Sequence, residues 1–202
     1  MLRLLDDPIS GNGYKVRLLL AFLGTPYAYE ALDILKSETR TPAFLAINPN
    51  GRIPVLVLGD GTALSESNAI LVYLAAGTPW LPTDRLHHAQ VLQWMFWEQY
   101  SHEPNIATLR FWNHLPELDD ARTAQIPGKR ANGIAALKLM DDHLSKRDWF
   151  VAGVPTIADI ALFAYTHVAD EGGFGLADYP AVGQWLARVK ALPGFVPMAA
   201  KE

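Results

Sequence analysis

The 202-residue chain contains no cysteine. A disulfide framework and a metal site built on thiolates are therefore excluded. Any thiol chemistry that the protein performs must use a thiol supplied by a bound substrate. With 50% hydrophobic and 19% charged residues, the chain nevertheless has enough apolar side chains to bury a core, which excludes disorder as its main state.

Positive charge is also scarce, with 17 Lys and Arg against 21 Asp and Glu and a formal net charge of −4. We therefore expect no nucleic-acid partner, because duplex-binding domains carry a basic patch. Long hydrophobic runs are absent too, since stretches such as Ile160 to Tyr165 fall far below the ~18 to 20 residues of a membrane span. The apolar start from Met1 to Leu5 is too short for a signal peptide. We expect a cytoplasmic protein with no membrane partner.

The signatures of several common enzyme classes are missing. Gly11-Asn12-Gly13 begins like a dinucleotide-binding loop, but Val16 stands where the third glycine is needed. No serine lies in a Gly-x-Ser-x-Gly elbow, which argues against an α/β-hydrolase. The six histidines show no His-Glu-x-x-His spacing, and we expect no metal site.

The first 76 residues alternate strand-like runs with helical repeats, in the order βαβαββα. The predicted strands cover Leu2 to Leu5, Tyr27 to Leu32, Val55 to Leu58 and Thr62 to Ser65. The predicted helices run from near Gly13 or Tyr14 to Leu23, over Pro42 to Ile47 and over Ala69 to Ala76. A right-handed crossover makes the first two strands parallel, while a hairpin around Gly59-Asp60-Gly61 adds antiparallel partners. We therefore expect a small mixed sheet in a domain of α+β class.

The rest of the chain carries no strand pattern. Residues 77–86 are rich in proline, glycine and charge, which is typical of a linker between domains. Helical periodicity then covers residues 87–114, 124–146, 156–170 and 181–192. The sequence thus predicts a domain over 1–76, a linker over 77–86 and an all-α helical bundle over 87–202.

Four segments make the chain resemble the cytosolic glutathione transferases over essentially its whole length. They are Ser10-Gly11-Asn12 leading into Lys15-Val16-Arg17, NPNGRIPVL at 48–56, SESNAI at 65–70 and VPTIAD at 154–159. The resemblance is to a bacterial branch of serine or asparagine type. It implies a thioredoxin-like first domain, glutathione as co-substrate with no tightly bound cofactor, and a homodimer that pairs the first domain of one subunit with the helical domain of the other.

The second segment contains Pro54, immediately before a predicted strand. Proline cannot donate a ladder hydrogen bond there, and a cis X-Pro bond is accessible at ~0.5 to 1 kcal/mol. In the family this proline is cis. The resemblance implies that Ile53 turns its backbone N–H and C=O outward, so that glutathione, an extended peptide, pairs with them as an added strand. An ordinary tight turn before an edge strand is the alternative.

The third segment puts Glu66 and Ser67 at a predicted helix N-terminus, where backbone N–H groups and the helix dipole favour an anion. The resemblance implies that the Ser67 hydroxyl and N–H hold the α-carboxylate of the γ-glutamyl end, with Glu66 facing its ammonium group. The same residues also suit helix capping by Ser65 or Ser67. The two interpretations can coexist.

The first segment carries the candidates for thiol activation. A thiol with a pKa near ~8.5 is a few per cent ionised at neutral pH, and lowering that pKa by ~2 units, worth ~2.7 kcal/mol, makes most of it reactive. Ser10 and Asn12 are polar groups at a helix start that suit a hydrogen bond to sulfur. Matching Lys15-Val16-Arg17 to the family's helix gives the catalytic hydroxyl to Ser10. Asn12 is the rival, as in some bacterial branches, or it only caps the helix.

Two arginines are candidates for the glycine carboxylate of glutathione. Arg40 and Thr41 precede the short second helix, and Arg52 lies in the proline loop, residues 48–54, which leads to Pro54. Arginine suits a carboxylate because its planar fork binds both oxygens. A solvated surface charge is the alternative for each arginine.

The predicted helical domain is rich in aromatic residues. Trp94 and Trp97 stand at helical spacing, which is typical of a core. Tyr100, Glu103 and Arg110 are less obviously buried, and the resemblance makes them candidates for the pocket of the second substrate, where aromatic groups favour flat apolar electrophiles.

The fourth segment predicts a folding element rather than an active site. Thr156 and Asp159 have the spacing of a capping box, with Asp in place of the usual Glu or Gln. We therefore place neither residue in the active site.

The sequence thus predicts a glutathione S-transferase with a detoxification role, which ionises the thiol of glutathione and conjugates it to a small hydrophobic electrophile. One alternative is a glutathione-dependent disulfide reductase or peroxidase, in which the thiolate attacks sulfur or oxygen. The other is a non-catalytic glutathione-binding protein of the same fold. The joint presence of Ser10, Pro54, Glu66 and Ser67 argues against the last alternative, because a scaffold needs only the proline and a helix cap.

Overall fold

The computed structural model of the protein describes residues 1–198, which form two compact units. The first unit contains Met1–Ala76 together with residues 193–198 of the described chain, and the second contains Gly77–Leu192. The described C-terminal segment, residues 193–198, therefore belongs to the first unit, whereas the sequence pattern assigned all of 87–202 to the helical domain.

A four-stranded mixed sheet with the order β2-β1-β3-β4 forms the centre of the first unit. Its strands are β1 (Leu2–Asp6), β2 (Tyr27–Ala31), β3 (Val55–Val57) and β4 (Ala63–Ser65). β1 pairs with β2 in parallel and with β3 antiparallel, and β3 pairs antiparallel with β4. The predicted mixed sheet is confirmed.

Three α-helices cover the two faces of this sheet. They are α1 (Gly11–Phe22), α2 (Pro42–Ile47) and α3 (Ser67–Ala75), with a 3₁₀ turn at Glu38–Arg40. On one face the helices α1 and α3 pack through Leu4, Val16, Leu20, Leu56 and Ile70. On the other face α2 packs through Leu5, Phe44, Val55 and Val57. The order βαβαββα agrees with the prediction. Successive residues of the central strands, such as Leu4 and Leu5, are both buried because they point to opposite faces of the sheet and both faces are covered.

The first helix starts earlier than its hydrophobic repeat indicated. α1 begins at Gly11, not near Gly13 or Tyr14, because the Ser10 side chain accepts a hydrogen bond from the Gly13 N–H at 3.2 Å and caps the helix. Asn12 therefore lies inside the first helical turn.

Two contacts hold the C-terminal segment, residues 193–198, against α1. The buried hydroxyl of Tyr14 donates a hydrogen bond to the Val196 carbonyl at 2.7 Å. Gly194, with a φ of 86°, lies against the backbone of Ala21 and Phe22. This pairing joins two residues that are 182 positions apart in the chain.

The second unit is all-α, as predicted. Its helices are α4 (Arg85–Trp97), a π-helical segment (Glu98–His102), α5 (Glu103–Trp112), α6 (Asp120–Thr123), α7 (Ile126–Leu144), α8 (Ile157–Thr166) and α9 (Pro180–Lys190). Short 3₁₀ turns at Ala169–Gly172 and Leu176–Asp178 connect α8 to α9. Over residues 1–198, no helix is long and apolar enough to cross a membrane.

An aromatic cluster forms part of the core of this second unit. The Trp94 ring lies edge-on to Trp97, His143 and Phe150, at centroid distances of 5.3, 4.8 and 4.7 Å. Phe150 in turn lies edge-on to Trp185 at 5.2 Å. Trp94 is buried, which confirms its predicted place in the core.

The capping box at the start of α8 is present. Asp159 accepts hydrogen bonds from the Thr156 N–H at 2.9 Å, the Phe150 N–H at 3.3 Å and the Trp185 Nε1–H at 3.0 Å. Burial raises the pKa of Asp159 to about 6, against the opposite effect of these donors. This carboxylate joins three segments of the helical unit, which accounts for its role as a folding element.

Candidate functional site

Most of the candidate residues lie around one end of the sheet in the first unit. At this end β1 finishes at Asp6, β3 begins at Val55 and β4 finishes at Ser65. The register pairs Leu5 with Val55 and Val55 with Ser65. The loop after β1, the proline loop before β3 and the start of α3 after β4 therefore converge, although they are far apart in the sequence.

Asn12 links two of these loops through its side-chain oxygen. Its Oδ1 accepts a hydrogen bond from the Lys15 ammonium at 2.7 Å and another from the Ser67 hydroxyl at 3.1 Å. These two donors hold the side-chain amide in one orientation, with Oδ1 toward Lys15 and Ser67. The first turn of α1 is thereby joined to the first residue of α3.

Lys15 is a residue whose contribution the sequence reasoning missed. Its side chain is fully buried, and its ammonium group contacts Asn12 three positions earlier on the same helix. Buried lysine is rare unless it is paired. The available signal was a lysine directly beside the apolar positions Val16 and Leu18 to Leu20, which are all buried.

Glu66 stands directly before α3 in an unusual backbone conformation. Its φ of 67° and ψ of 110° lie outside the regions that non-glycine residues normally occupy. Strained residues of this kind cluster at ligand sites. Its carboxylate is exposed, and it has no hydrogen-bond or ion-pair partner within residues 1–198.

The N-terminus of α3 has no side-chain cap. The Ser67 hydroxyl donates to Asn12, so neither Ser65 nor Ser67 performs the capping that the sequence equally allowed. Within the described chain, the Ser67 backbone N–H has no acceptor. An uncapped helix start with an orphan N–H is suited to an anion.

The proline loop has the geometry expected of a peptide-binding edge. The Ile53–Pro54 peptide bond is cis. Neither the N–H nor the C=O of Ile53 makes a hydrogen bond to any residue of the described range. The loop itself is held by Asn48, whose Nδ2 donates to the Arg52 carbonyl at 2.7 Å.

The two candidate arginines differ in their surroundings. Arg40 is exposed, and its Nη1 lies 3.3 Å from the Asn50 carbonyl and against Gly51, where a Cβ atom would come within 2.4 Å of the guanidinium group. Gly51 also has a φ of 64°, which favours glycine. The exposed Arg52 side chain has no partner in the described structure. The Arg40 side chain is therefore bonded to the proline loop, whereas the Arg52 side chain makes no such contact in the described structure.

The three candidates in the helical unit have different environments. Tyr100 is 87% exposed. The Glu103 carboxylate accepts a hydrogen bond from the Gln99 side-chain amide. Arg110, in contrast, is only 7% exposed, and its Nε donates to the Glu171 carboxylate at 2.5 Å. The expectation that Arg110 is less buried was wrong, because α5 presents it to a carboxylate 61 residues later in the chain. A role for Tyr100, Glu103 or Arg110 toward a second substrate stays a prediction.

No group of three or more potential metal-ligating His, Cys, Asp or Glu side chains occurs in residues 1–198. The charged groups at this end of the sheet include the buried Lys15 ammonium group, the buried Asp6 carboxylate and the exposed Glu66 carboxylate.

Comparison with known proteins gives family matches over most of the chain. The family model described as "Glutathione S-transferase, N-terminal domain" matches residues 9–76, and the one described as "Glutathione S-transferase, C-terminal domain" matches residues 110–188. The solved glutathione S-transferase from Pseudomonas fluorescens is 50% identical, with a TM-score of 0.94 over 98% of this chain and 99% of that one. A structure titled "Ure2p in complex with glutathione" is 25% identical, with a TM-score of 0.86 over 96% of this chain and 90% of that one.

Two curated relatives differ in the names they carry. Disulfide-bond oxidoreductase YfcG of Escherichia coli is 29% identical over 189 residues, which cover 90% of this chain and 87% of that protein. Protein URE2 of Eremothecium gossypii is 27% identical over 227 residues, which cover 92% of this chain but only 64% of that protein. This chain thus spans less than two thirds of the length of the second relative.

Proposed function

Since the chain belongs to the glutathione S-transferase family, as its matches over both domains show, we propose that it binds glutathione on its first unit and transfers the thiol to a hydrophobic electrophile. The observation that carries this proposal is the contact between Asn12 and Ser67. This contact brings the first turn of α1, which can donate to the thiol, next to the start of α3, which can bind the γ-glutamyl carboxylate.

Glutathione binding uses three groups along one path. The Ser67 N–H at the uncapped start of α3 donates to the α-carboxylate, and the exposed Glu66 carboxylate pairs with the ammonium group. The backbone N–H and C=O of Ile53, both without partners in the described chain, pair with the cysteinyl peptide unit. The glycine carboxylate pairs with Arg52, which is adjacent to Ile53 in the sequence. Arg40, which contacts the loop through the Asn50 carbonyl, is the second candidate for this carboxylate.

Thiol ionisation requires a donor to sulfur, and Asn12 is better suited to this role than Ser10. The Ser10 hydroxyl is the N-cap of α1, where it accepts from the Gly13 N–H. The Asn12 oxygen instead accepts from the Lys15 ammonium, which polarises the amide and strengthens its N–H as a donor. The buried positive charge of Lys15 further favours a thiolate.

The reaction follows from this ionisation. The thiol proton leaves to solvent, and the thiolate, held by Asn12, attacks an electrophilic carbon. With an aryl halide, the sulfur–carbon bond forms and the halide departs with its electron pair. With an isothiocyanate, the same bond forms by addition, and the nitrogen takes the electron pair and then a proton from solvent. The protein contributes the lowered thiol pKa and the fixed position of the nucleophile.

A disulfide reductase is the second candidate, and the similarity to the Escherichia coli disulfide-bond oxidoreductase favours it. Because this chain has no cysteine, both electrons would come from two glutathione molecules. The first thiolate would attack a disulfide sulfur and expel a thiolate, and the second would resolve the mixed disulfide to oxidised glutathione. A glutathione-binding protein without turnover is the third candidate.

Binding and turnover are tested separately. Isothermal calorimetry with glutathione is the first measurement, on the parent and on Glu66→Gln. We expect the variant to bind about 10- to 150-fold more weakly, because a hydrogen bond to a charged group is worth ~1.5 to 3 kcal/mol. The control is Glu30→Gln, which removes an exposed carboxylate from β2, and it should bind as the parent does. Equal affinity of Glu66→Gln and the parent would contradict the proposed γ-glutamyl site.

A substrate panel then distinguishes the candidates. Aryl halides and isothiocyanates test conjugation, whereas mixed disulfides and hydroperoxides test reduction. Conjugation is measured at saturating glutathione. A rate above the uncatalysed one in the parent, and its loss in Asn12→Ala, supports the transferase. Turnover of disulfides alone would replace it by the reductase, and binding without any turnover would leave the third candidate.

The homodimer is proposed on a separate observation. Phe96 on α4 and Tyr100 in the π-helical segment are 71% and 87% exposed, and they stand four residues apart on the surface of the helical unit. Large exposed aromatic neighbours are typical of an interaction surface. Sedimentation of the parent and of Phe96→Glu tests this proposal, with a dimer expected for the parent and a monomer for the variant.

A further inference from the structure

Asp6 is a buried carboxylate that the binding scheme above does not use. It ends β1, and its side chain is fully buried. Its Oδ2 accepts a hydrogen bond from Arg17 Nε at 3.1 Å, and the same arginine donates through Nη2 to the Pro8 carbonyl at 2.8 Å. Within residues 1–198, Oδ1 of Asp6 has no hydrogen-bond partner. An ionised carboxylate with a buried, unpartnered oxygen destabilises the folded protein, which indicates that Asp6 has a role besides stability.

The Asp6 carboxylate lies directly beneath the first turn of α1. A Cβ atom on Gly13 would stand 1.6 Å from Oδ1 and 2.0 Å from Oδ2 of Asp6. The carboxylate thus occupies the space that any side chain at position 13 would need. Gly13 is the neighbour of Asn12 in this turn, and its N–H is bound to Ser10. The buried charge is therefore adjacent to the backbone that carries both thiol-activating candidates.

The charged and titratable groups around Asp6 come from three elements. Arg17 of α1 favours the ionised carboxylate, and the neighbouring Asp7 opposes it, while the hydrogen bond from the Asp7 backbone favours it. The charge of Asp6 also helps to raise the pKa of Tyr27 and of Tyr29 in β2. Burial outweighs the favourable partners and raises the pKa of Asp6 to about 7. Both protonation states are thus populated near neutral pH.

We propose that Asp6 controls thiol ionisation at the proposed glutathione site, because its negative charge beneath the first turn of α1 opposes ionisation of the thiol bound at that turn. The inference rests on the function proposed above. When Asp6 is protonated, the Arg17 charge is no longer neutralised, and the field below the turn favours the thiolate. When Asp6 is ionised, the ion pair is neutral and this help is lost.

The coupling acts in both directions. Because linkage is reciprocal, a thiolate at the turn must raise the pKa of Asp6 by as much as ionised Asp6 raises the pKa of the thiol. For two unit charges placed ~10 Å apart at an effective dielectric constant of ~25 to 50, Coulomb's law gives a shift of about 0.5 to 1 pKa unit. The pH profile of kcat/KM should then contain two ionisations rather than one.

The test follows Asp6 in the unmodified protein. Carboxyl carbon NMR is recorded against pH for the protein alone, with glutathione and with S-methylglutathione, whose sulfur cannot ionise. We expect the Asp6 titration to move upward by about 0.5 to 1 unit with glutathione relative to S-methylglutathione. A merely structural aspartate would titrate identically in the two complexes, because both ligands fill the same site.

The variant Asp6→Asn tests the same coupling from the side of the thiol. It keeps the shape and removes the charge, so the thiolate absorbance of bound glutathione should appear about 0.5 to 1 pH unit lower, and one ionisation should vanish from the pH profile of kcat/KM. The control is Glu30→Gln, which removes an exposed charge paired with Arg3 at 3.4 Å. It should leave the thiolate titration unchanged.

The outcomes are separable. An Asp6 titration that is the same with both ligands, or an unchanged thiol titration in a folded Asp6→Asn, would overturn the inference while leaving glutathione binding intact. Failure of glutathione to bind the parent in calorimetry would overturn the proposed function, and this inference with it. If Asp6→Asn does not fold, the NMR comparison on the unmodified protein decides alone.

Discussion

Asn12 offers a substitution that separates stability from thiol activation. In Asn12→Ala the buried Lys15 ammonium and the Ser67 hydroxyl both lose the Oδ1 acceptor, at 2.7 and 3.1 Å. A hydrogen bond from a charged donor is worth ~1.5 to 3 kcal/mol and one from a neutral donor ~0.5 to 1.5 kcal/mol. We therefore expect Asn12→Ala to lower the free energy of unfolding by about 2 to 4 kcal/mol.

Asn12→Asp has the opposite pattern. An aspartate keeps an oxygen at the position of Oδ1 and pairs its charge with Lys15, so stability should change by less than ~1 kcal/mol. The variant, however, loses the amide N–H donor and adds a negative charge beside the sulfur. Both changes raise the pKa of bound glutathione toward or above the ~8.5 of a free thiol. Turnover at neutral pH should fall about 10- to 100-fold, in proportion to the thiolate that is lost.

The assay combines urea unfolding, followed by circular dichroism, with a thiolate absorbance titration of the saturated complex. The matched variant is Ser10→Ala, which removes the N-cap of α1 and should lower stability by ~1 kcal/mol without moving the thiol titration. If Asn12→Asp ionised the thiol as the parent does while Ser10→Ala did not, the reasoning would be refuted and the donor would be Ser10.

Three further predictions concern stability. Asp159→Asn should lower the free energy of unfolding by about 2 to 4 kcal/mol in urea, because its carboxylate accepts several buried donors that include Trp185 Nε1–H; a loss below ~1 kcal/mol would contradict this. Tyr14→Phe should lower it by ~1 kcal/mol through the bond to the Val196 carbonyl, and unchanged protease resistance of the C-terminal segment would argue against that anchor. Burial lowers the pKa of His167 from 6.5 to about 4. Between these two pH values the unfolded chain binds a proton at this histidine and the folded protein does not, so the free energy of unfolding decreases as the pH falls from 6.5 toward 4. In His167→Gln this part of the pH dependence of unfolding should disappear, and an unaltered slope would refute the assignment.

The secondary structure and the domain types followed from local patterns. Period-two and helical repeats are set by residues within one or two turns of each other, so the order βαβαββα and the all-α second unit could be predicted. The capping box of Thr156 and Asp159 was predictable for the same reason, since both members belong to one helical turn. The proline loop and the SESNAI segment were found because their motifs are continuous in the sequence.

Contacts between distant segments could not be predicted in this way. The hydrogen bond from Ser67 to Asn12 spans 55 residues, and the burial of Arg110 depends on Glu171, 61 residues away. No repeat in a single sequence encodes such pairs, because they arise only when separate elements pack. The start of α1 at Gly11 was missed because a polar cap, not an apolar repeat, determines it.

The charges of the candidate site depend on burial, which only the folded chain defines. Asp6 and Lys15 look like ordinary surface residues in the sequence, yet both side chains are fully buried in the first unit. Residue type and spacing indicated which groups could bind glutathione, because the chemistry of carboxylates, amides and N–H groups is local. The tertiary structure decided which of them lie together, which are already bonded and which titrate near neutral pH, because these properties depend on neighbours brought from distant parts of the chain and on the exclusion of water.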